Sequence, residues 1–108
     1  MNIIVKEKGK HLVIKVVGRI DTSNYEVFSN ELQVLIDEGK KFFVMDLKEL
    51  DYISSSGLRI FLKVLKALRA IEGDVVLCCL NDKIKSVFEM SGFLSLFNIA
   101  DNIDSIED

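Results

Sequence analysis

Apolar and charged residues trade places quickly at the start of the chain. Ile3–Lys8 passes from apolar to charged, Gly9-Lys10 makes a short turn, and His11–Val17 sets Leu12, Ile14 and Val16 against Val13, Lys15 and Val17. Such β-branched segments around a glycine-containing loop predict a hairpin, with its second strand ending at Gly18. The period then lengthens. Asp21-Thr-Ser-Asn24 offers N-cap residues for a helix to about Asp37, in which Tyr25, Phe28, Leu32, Leu35 and Ile36 follow helical spacing before a stop at Gly39.

Lys41–Leu47 contains the compact run Phe42-Phe-Val-Met, the pattern of a strand buried on both faces. Leu50-Asp-Tyr-Ile53 leads from it into three serines, Ser54, Ser55 and Ser56. A helix over about Ser55–Ile71 follows, with two apolar rows: Leu58, Phe61, Leu62, Leu65 and Leu68, and Ile60, Val64, Ala67 and Ile71. So wide an apolar arc requires a helix largely buried against a sheet. Gly73 ends it, and Val75–Leu80 reads as the next buried strand. Asn81-Asp82 caps a short third helix with Ile84, Val87 and Phe88 turned inward, stopped by Gly92. Phe93–Ile99 has room for one more short strand, with Phe93, Leu94, Leu96 and Phe97 read as core. The acidic tail Asp101–Asp108 frays or makes a last turn.

The order β-β-α-β-α-β-α predicts an α/β domain: a mostly parallel sheet of four or five strands, right-handed crossovers and one antiparallel hairpin strand. Composition narrows the class. The 108 residues fit one domain, and 49% hydrophobic residues argue against disorder. No apolar run approaches the roughly 18 residues of a membrane span. The N-terminus meets charge too early for a signal peptide, so a cytoplasmic location is expected. A net charge of −3 disfavours nucleic acid as a partner.

Candidate chemistry is sparse. Neither phosphate-binding glycine fingerprint is present, nor is the G-x-S-x-G nucleophile elbow. The single histidine, His11, lies at the edge of the hairpin, far in sequence from any nucleophile, and no carboxylate pair has an apolar setting that would tune it. No catalytic residue, cofactor or metal is expected, and the chain does not read as an enzyme. Cys78 and Cys79 adjoin within a strand-like run. On alternating faces they would not form a disulfide, and they read as small core residues.

The serine cluster is the exception. At a helix start a serine can cap the helix, or it can present its hydroxyl to a phosphate where free N–H groups and the helix dipole favour an anion. Arg59, Lys63 and Lys66 form an exposed row at i, i+4 and i+7. That row reads as a solvated face or as the contact for an acidic partner.

The segment Asp46-Leu-Lys-Glu-Leu-Asp-Tyr-Ile-Ser-Ser-Ser-Gly-Leu58 resembles the signature of STAS domains, specifically of bacterial anti-sigma factor antagonists. Gly18-Arg-Ile-Asp21 and Val87-Phe-Glu-Met-Ser-Gly-Phe93 are similar to two further family segments. The resemblance covers nearly the whole chain, taken as one STAS domain over residues 1–108, and implies helices packed mainly on one face of the sheet. In that family the serine two residues before the glycine is phosphorylated, which here is Ser55, with Ser56 as second candidate. The family's Asp before the acceptor is replaced by Ser54. The resemblance implies binding to an anti-sigma factor that is also a serine kinase, dissociation on phosphorylation, and restoration by a serine phosphatase. Asp21, Ser54, Ser55, Ser56, Gly57, Arg59 and Lys63 would form the partner surface. The other role the family offers is an unphosphorylated interaction module in a signalling or transport assembly.

Overall fold

The computed structural model describes residues 1–106. The hairpin forms as the alternation predicts. Strand β1 (Asn2–Lys8) pairs antiparallel with β2 (His11–Ile20), from Asn2↔Val17 to Lys8↔His11, across the two-residue loop Gly9-Lys10. Gly9 supplies the positive φ of 57° that so tight a loop needs.

Strand β2 does not end at Gly18. It continues to Ile20 through a register shift between Gly18 and Arg19, and Gly18 has φ 100°. The glycine is thus a bulge within the strand and not its terminator. This extension divides β2 between two parallel partners. Its first half pairs with β3 (Phe42–Asp46), from Leu12↔Phe43 to Lys15↔Asp46; its last residues pair with β4 (Leu50–Ile53), at Gly18↔Leu50, Arg19↔Tyr52 and Ile20↔Ile53.

Beyond β3 lie β5 (Asp74–Cys78) and β6 (Asn98–Ala100), both parallel, giving the order β1-β2-β3-β5-β6 with β4 attached to β2. The sheet therefore has six strands where the pattern suggested four or five. The additional one is β4.

Helices α1 (Tyr25–Asp37), α2 (Ser55–Ala70) and α3 (Asp82–Met90) share one core with Leu12, Ile14, Val16, Phe43, Met45, Val75 and Leu77 of the sheet. A line of rings ties the helices together: Phe28 to Phe61 at 5.5 Å, Phe61 to Phe88 at 5.5 Å and Phe88 to Phe97 at 6.0 Å between centroids. The opposite face of the sheet has no helix among the described residues. Val13, Val44 and Cys78 are covered there by Ile106 and Ile103, around a 3-10 turn at Ile103–Ser105. The two-sided burial expected of β3 thus comes from helices on one face and the tail on the other. The tail makes this last turn; Glu107 and Asp108 lie outside the described residues. A second 3-10 turn, Leu94–Leu96, precedes β6, with Phe97 buried and Leu96 exposed.

Alternation fails at one point of β5. The strand stops at Cys78, and Cys79 has φ 64°. Cys79 therefore packs against the same cluster as Cys78 instead of facing the other way. Both thiols are free.

Candidate partner-binding surface

The parallel pair Ile20↔Ile53 sets the ends of β2 and β4 side by side, and Ser54 N–H donates to the Ile20 carbonyl at 2.9 Å. Asp21 and the serine cluster, 33 positions apart for Ser54, thereby leave the sheet together. Both strand ends feed this corner.

The three serines are not equivalent. Ser54 is the N-cap of α2: its backbone is extended (φ −80°, ψ 169°) and its Oγ accepts a hydrogen bond from Gly57 N–H at 3.1 Å. Only 8% of it is exposed. Its hydroxyl is therefore committed to the fold. Ser55 follows as the first helical residue and is exposed, while Ser56 is partly exposed. The first turn of α2 contains no acidic residue. The cap satisfies Gly57, which leaves the Ser55 and Ser56 N–H groups as donors at the positive end of the helix.

Gly57 is needed for contact. A Cβ at this position would stand 2.8 Å from both Ile20 Cγ2 and Ile53 Cγ1. Its absence lets the first turn of α2 rest on the two strand ends.

Asp21 is held firmly. Its carboxylate accepts from the Ser23 hydroxyl at 2.6 Å, from Ser23 N–H at 2.9 Å and from Arg19 Nε at 3.3 Å. The Ser23 hydrogen bonds first, and Arg19 after them, keep its carboxyl below the ordinary Asp range. Asn24 occupies the N-cap position of α1, but its side chain does not cap that helix. Its Oδ1 accepts from Asp21 N–H at 2.9 Å and its Nδ2 donates to the Arg19 carbonyl at 2.9 Å. The predicted capping residue braces the Asp21 loop instead.

Arg59 is exposed one turn beyond Ser55. Lys63 lies about 12 Å from Ser55 along the helix and donates to Ser29 Oγ at 3.4 Å, bridging α2 to α1. Lys66 is farther still. Thus Asp21, Ser54, Ser55, Ser56 and Gly57 converge on one corner, Arg59 borders it, and Lys63 stands apart.

Two residues join the corner that the sequence pattern did not mark. The Arg19 guanidinium lies 4.6 Å from the centroid of the Tyr52 ring, and Tyr52 is 41% exposed. They are cross-strand neighbours in the β2–β4 pair, so their meeting depends on a strand that the pattern does not reveal.

Replacing Ser54 with alanine is expected to destabilise the fold by about 1 kcal/mol, the usual worth of an N-cap hydroxyl. Urea unfolding followed by circular dichroism reads this as a lower midpoint with unchanged slope.

The STAS domain family model matches residues 2–106 of this chain. The chain belongs to the STAS domain family. This STAS chain is 44% identical over 91 residues to BtrV of Bordetella bronchiseptica, provisionally named an anti-sigma factor antagonist; the match covers 84% of this chain and 78% of that protein. It is 30% identical over 102 residues to the anti-sigma-B factor antagonist of Listeria monocytogenes, covering 92% and 90% of the two chains. Among solved structures, the Bacillus cell fate determinant SpoIIAA in its phosphorylated form has the same fold, with a TM-score of 0.74, 20% identity and 96% of each chain covered. Within the STAS signature the place of Asp is taken here by Ser54, and a serine can make the same cap as an aspartate without its charge. Among the described residues no helix is long and apolar enough to cross a membrane, and no cluster of His, Cys, Asp and Glu is fit to hold a metal ion.

Proposed function

We propose that this STAS chain is an anti-sigma factor antagonist, switched off by phosphorylation of Ser55. The observation that carries the reading is the division of labour at the start of α2. Ser54 is buried as the cap, and Ser55 beside it is exposed, with its hydroxyl making no hydrogen bond among the described residues. The names of the two relatives supply the partner class, an anti-sigma factor, and the Bacillus structure is of a phosphorylated protein.

In its unmodified state the corner is a neutral surface of small residues bordered by Asp21, Arg19 and Arg59, against which an anti-sigma factor with serine kinase activity packs in the cytoplasm. That partner supplies the chemistry of transfer; this chain supplies the hydroxyl. Arg59 steers the encounter, with Lys63 and Lys66 adding to the field in a salt-dependent way.

Phosphorylation adds about −1.5 to −2 charges at Ser55. The domain tolerates them because the Ser55 and Ser56 N–H groups and the helix dipole favour an anion. The complex does not, since the same charge would be desolvated beneath the partner. A serine phosphatase reverses the change. Ser56, less exposed, is the secondary acceptor.

Incubation with ATP and candidate anti-sigma factor serine kinases, followed by mass spectrometry, tests the reading. One phosphate on Ser55, with loss of anti-sigma factor binding in calorimetry, is the expected result. Unmodified Ser55 and Ser56, together with binding that survives Ser55→Asp, would overturn it and leave an unphosphorylated STAS module of another assembly.

A further inference from the structure

At the carboxyl end of β5, Cys78 and Cys79 are brought to one side of the sheet. In a continuing strand their side chains would diverge. The left-handed conformation of Cys79, φ 64°, turns its side chain back toward that of Cys78. Cys78 is buried with Val13, Val44 and Ile106, and Cys79 packs against that same cluster while remaining half-buried. Burial, and next a hydrogen bond with the Cys79 side chain, push the Cys78 thiol up, so Cys78 rests as the protonated thiol. Cys79 opens onto a surface depression of about 420 Å³, shared with Lys48, Leu80, Asn81 and Asp101. One thiol is reachable and the other waits behind it.

We propose that Cys78 and Cys79 form a vicinal dithiol site that captures trivalent arsenicals and is oxidised by peroxide to a vicinal disulfide. With an arylarsenoxide, two As–S bonds replace the bond from arsenic to oxygen, and the two thiol protons leave with that oxygen as one water. With hydrogen peroxide, the Cys79 sulfur attacks one oxygen and the O–O bond breaks. This gives a sulfenic acid on Cys79 and a first water. The Cys78 sulfur then attacks the Cys79 sulfur, the S–S bond forms, and the sulfenic oxygen leaves as a second water. Two electrons pass from the thiols to one peroxide, and both protons are accounted for. The Cα atoms of adjacent residues lie about 3.8 Å apart, below the usual disulfide range, so the ring is strained and a small thiol such as glutathione reopens it.

The site also adjoins the partner corner through a short chain of hydrogen bonds. Leu47 N–H donates to the Cys78 carbonyl at 3.0 Å, and Cys79 N–H donates to the Ala100 carbonyl at 3.3 Å. Two residues on, Asn81 caps α3 through Ile84 N–H at 3.0 Å. Its Nδ2 also donates to the carbonyls of Lys48 at 3.2 Å and Leu50 at 2.9 Å. Leu50 begins β4, which ends beside Ser54. Closing the ring changes the backbone immediately before Asn81, and so reaches the strand that carries the serine cluster.

The test uses the reduced full chain with phenylarsine oxide at equal concentration. Intact mass spectrometry is expected to show one arsenical per chain, with both cysteines protected from N-ethylmaleimide. A 1,2-dithiol should release it and a monothiol should not. Cys79→Ala and Cys78→Ala should each abolish this capture. Hydrogen peroxide should yield a monomer lighter by two hydrogen atoms, with shifted amide resonances at Asn81 and Leu50. Capture that requires urea, capture that persists in Cys79→Ala, or peroxide carrying Cys79 to the sulfinic acid without loss of those hydrogens would each overturn the proposal. Should Cys78→Ala fail to fold by circular dichroism, Cys79→Ala decides alone. Neither reagent involves the anti-sigma factor, so this result stands apart from the fate of the Ser55 reading.

Discussion

Ser55→Asp is expected to weaken binding of the anti-sigma factor by at least about 30-fold, measured by calorimetry, while Ser55→Ala stays within a few-fold of wild type. A charge buried without a partner in an interface costs about 2–5 kcal/mol, and 1.4 kcal/mol is a factor of ten. The alanine variant loses a hydroxyl that makes no hydrogen bond within the described chain, so the free protein has little to lose. The discriminating measurement is stability. An acidic residue in the first turn of α2, which has none, is worth about 0.3–1 kcal/mol in the favourable direction. Ser55→Asp should therefore bind worse and melt no lower than wild type. Weakened binding accompanied by a lower melting temperature would point to damage in the fold and not to a switch.

The same corner shows what the amino-acid pattern could and could not convey. Helices α1 and α2 were legible because Phe28, Leu32, Phe61, Leu65 and Leu68 repeat at helical spacing and are all buried. Strand β4 was not. Leu50 and Ile53 are buried while Asp51 and Tyr52 between them are exposed, so these four residues lack the alternation that marks a strand and read only as the lead into the serines. Gly18 reads in the sequence as the end of β2, since a bulge and a turn ask the same freedom of a glycine. Both patterns conceal one fact, that β2 reaches far enough to pair with β4, and with it the meeting of Arg19 and Tyr52.

Within the serine cluster, three identical side chains carry no internal evidence of which one caps. Resemblance to the STAS family pointed to Ser55, and backbone geometry gives the capping role to Ser54. The placement of Asn24 was legible but its use was not. A cap residue can bind forward to a helix or back to a loop, and here it binds back to Asp21 and Arg19. For the cysteines, strand alternation held up to Cys78 and failed at the next residue because the strand had already ended.

Gly73→Ala should produce the largest loss of stability of the substitutions considered, and for a reason other than the one its position suggests. A glycine after a helix is usually read as the residue that adopts the left-handed conformation. In this chain Glu72 takes that conformation, with φ 64°, while Gly73 is not among the positive-φ glycines. What Gly73 provides is space. A Cβ there would lie 2.0 Å from the Lys41 carbonyl oxygen and 2.9 Å from the Lys41 carbonyl carbon. These are backbone atoms at the entry to β3, and they cannot rotate away. They are also in use, because Asp74 N–H donates to that same oxygen at 2.9 Å where the β3–β5 ladder opens, and Gly73 N–H closes the end of α2 on the Leu68 carbonyl at 2.7 Å. Relieving the clash means separating β5 from β3 or unwinding the last turn of α2. Overpacking of this kind costs about 3 kcal/mol, which for a domain of this size lowers the melting temperature by about 15 °C. Glu72→Gly is the companion measurement. It removes the left-handed strain of a non-glycine residue but loosens the unfolded chain, and these offset to within about 1 kcal/mol. If Gly73 served only as a helix terminator, moving the glycine one place earlier in the Glu72→Gly, Gly73→Ala double variant would restore stability. Because the obstacle is the Lys41 carbonyl, the double variant is expected to remain as unstable as Gly73→Ala alone.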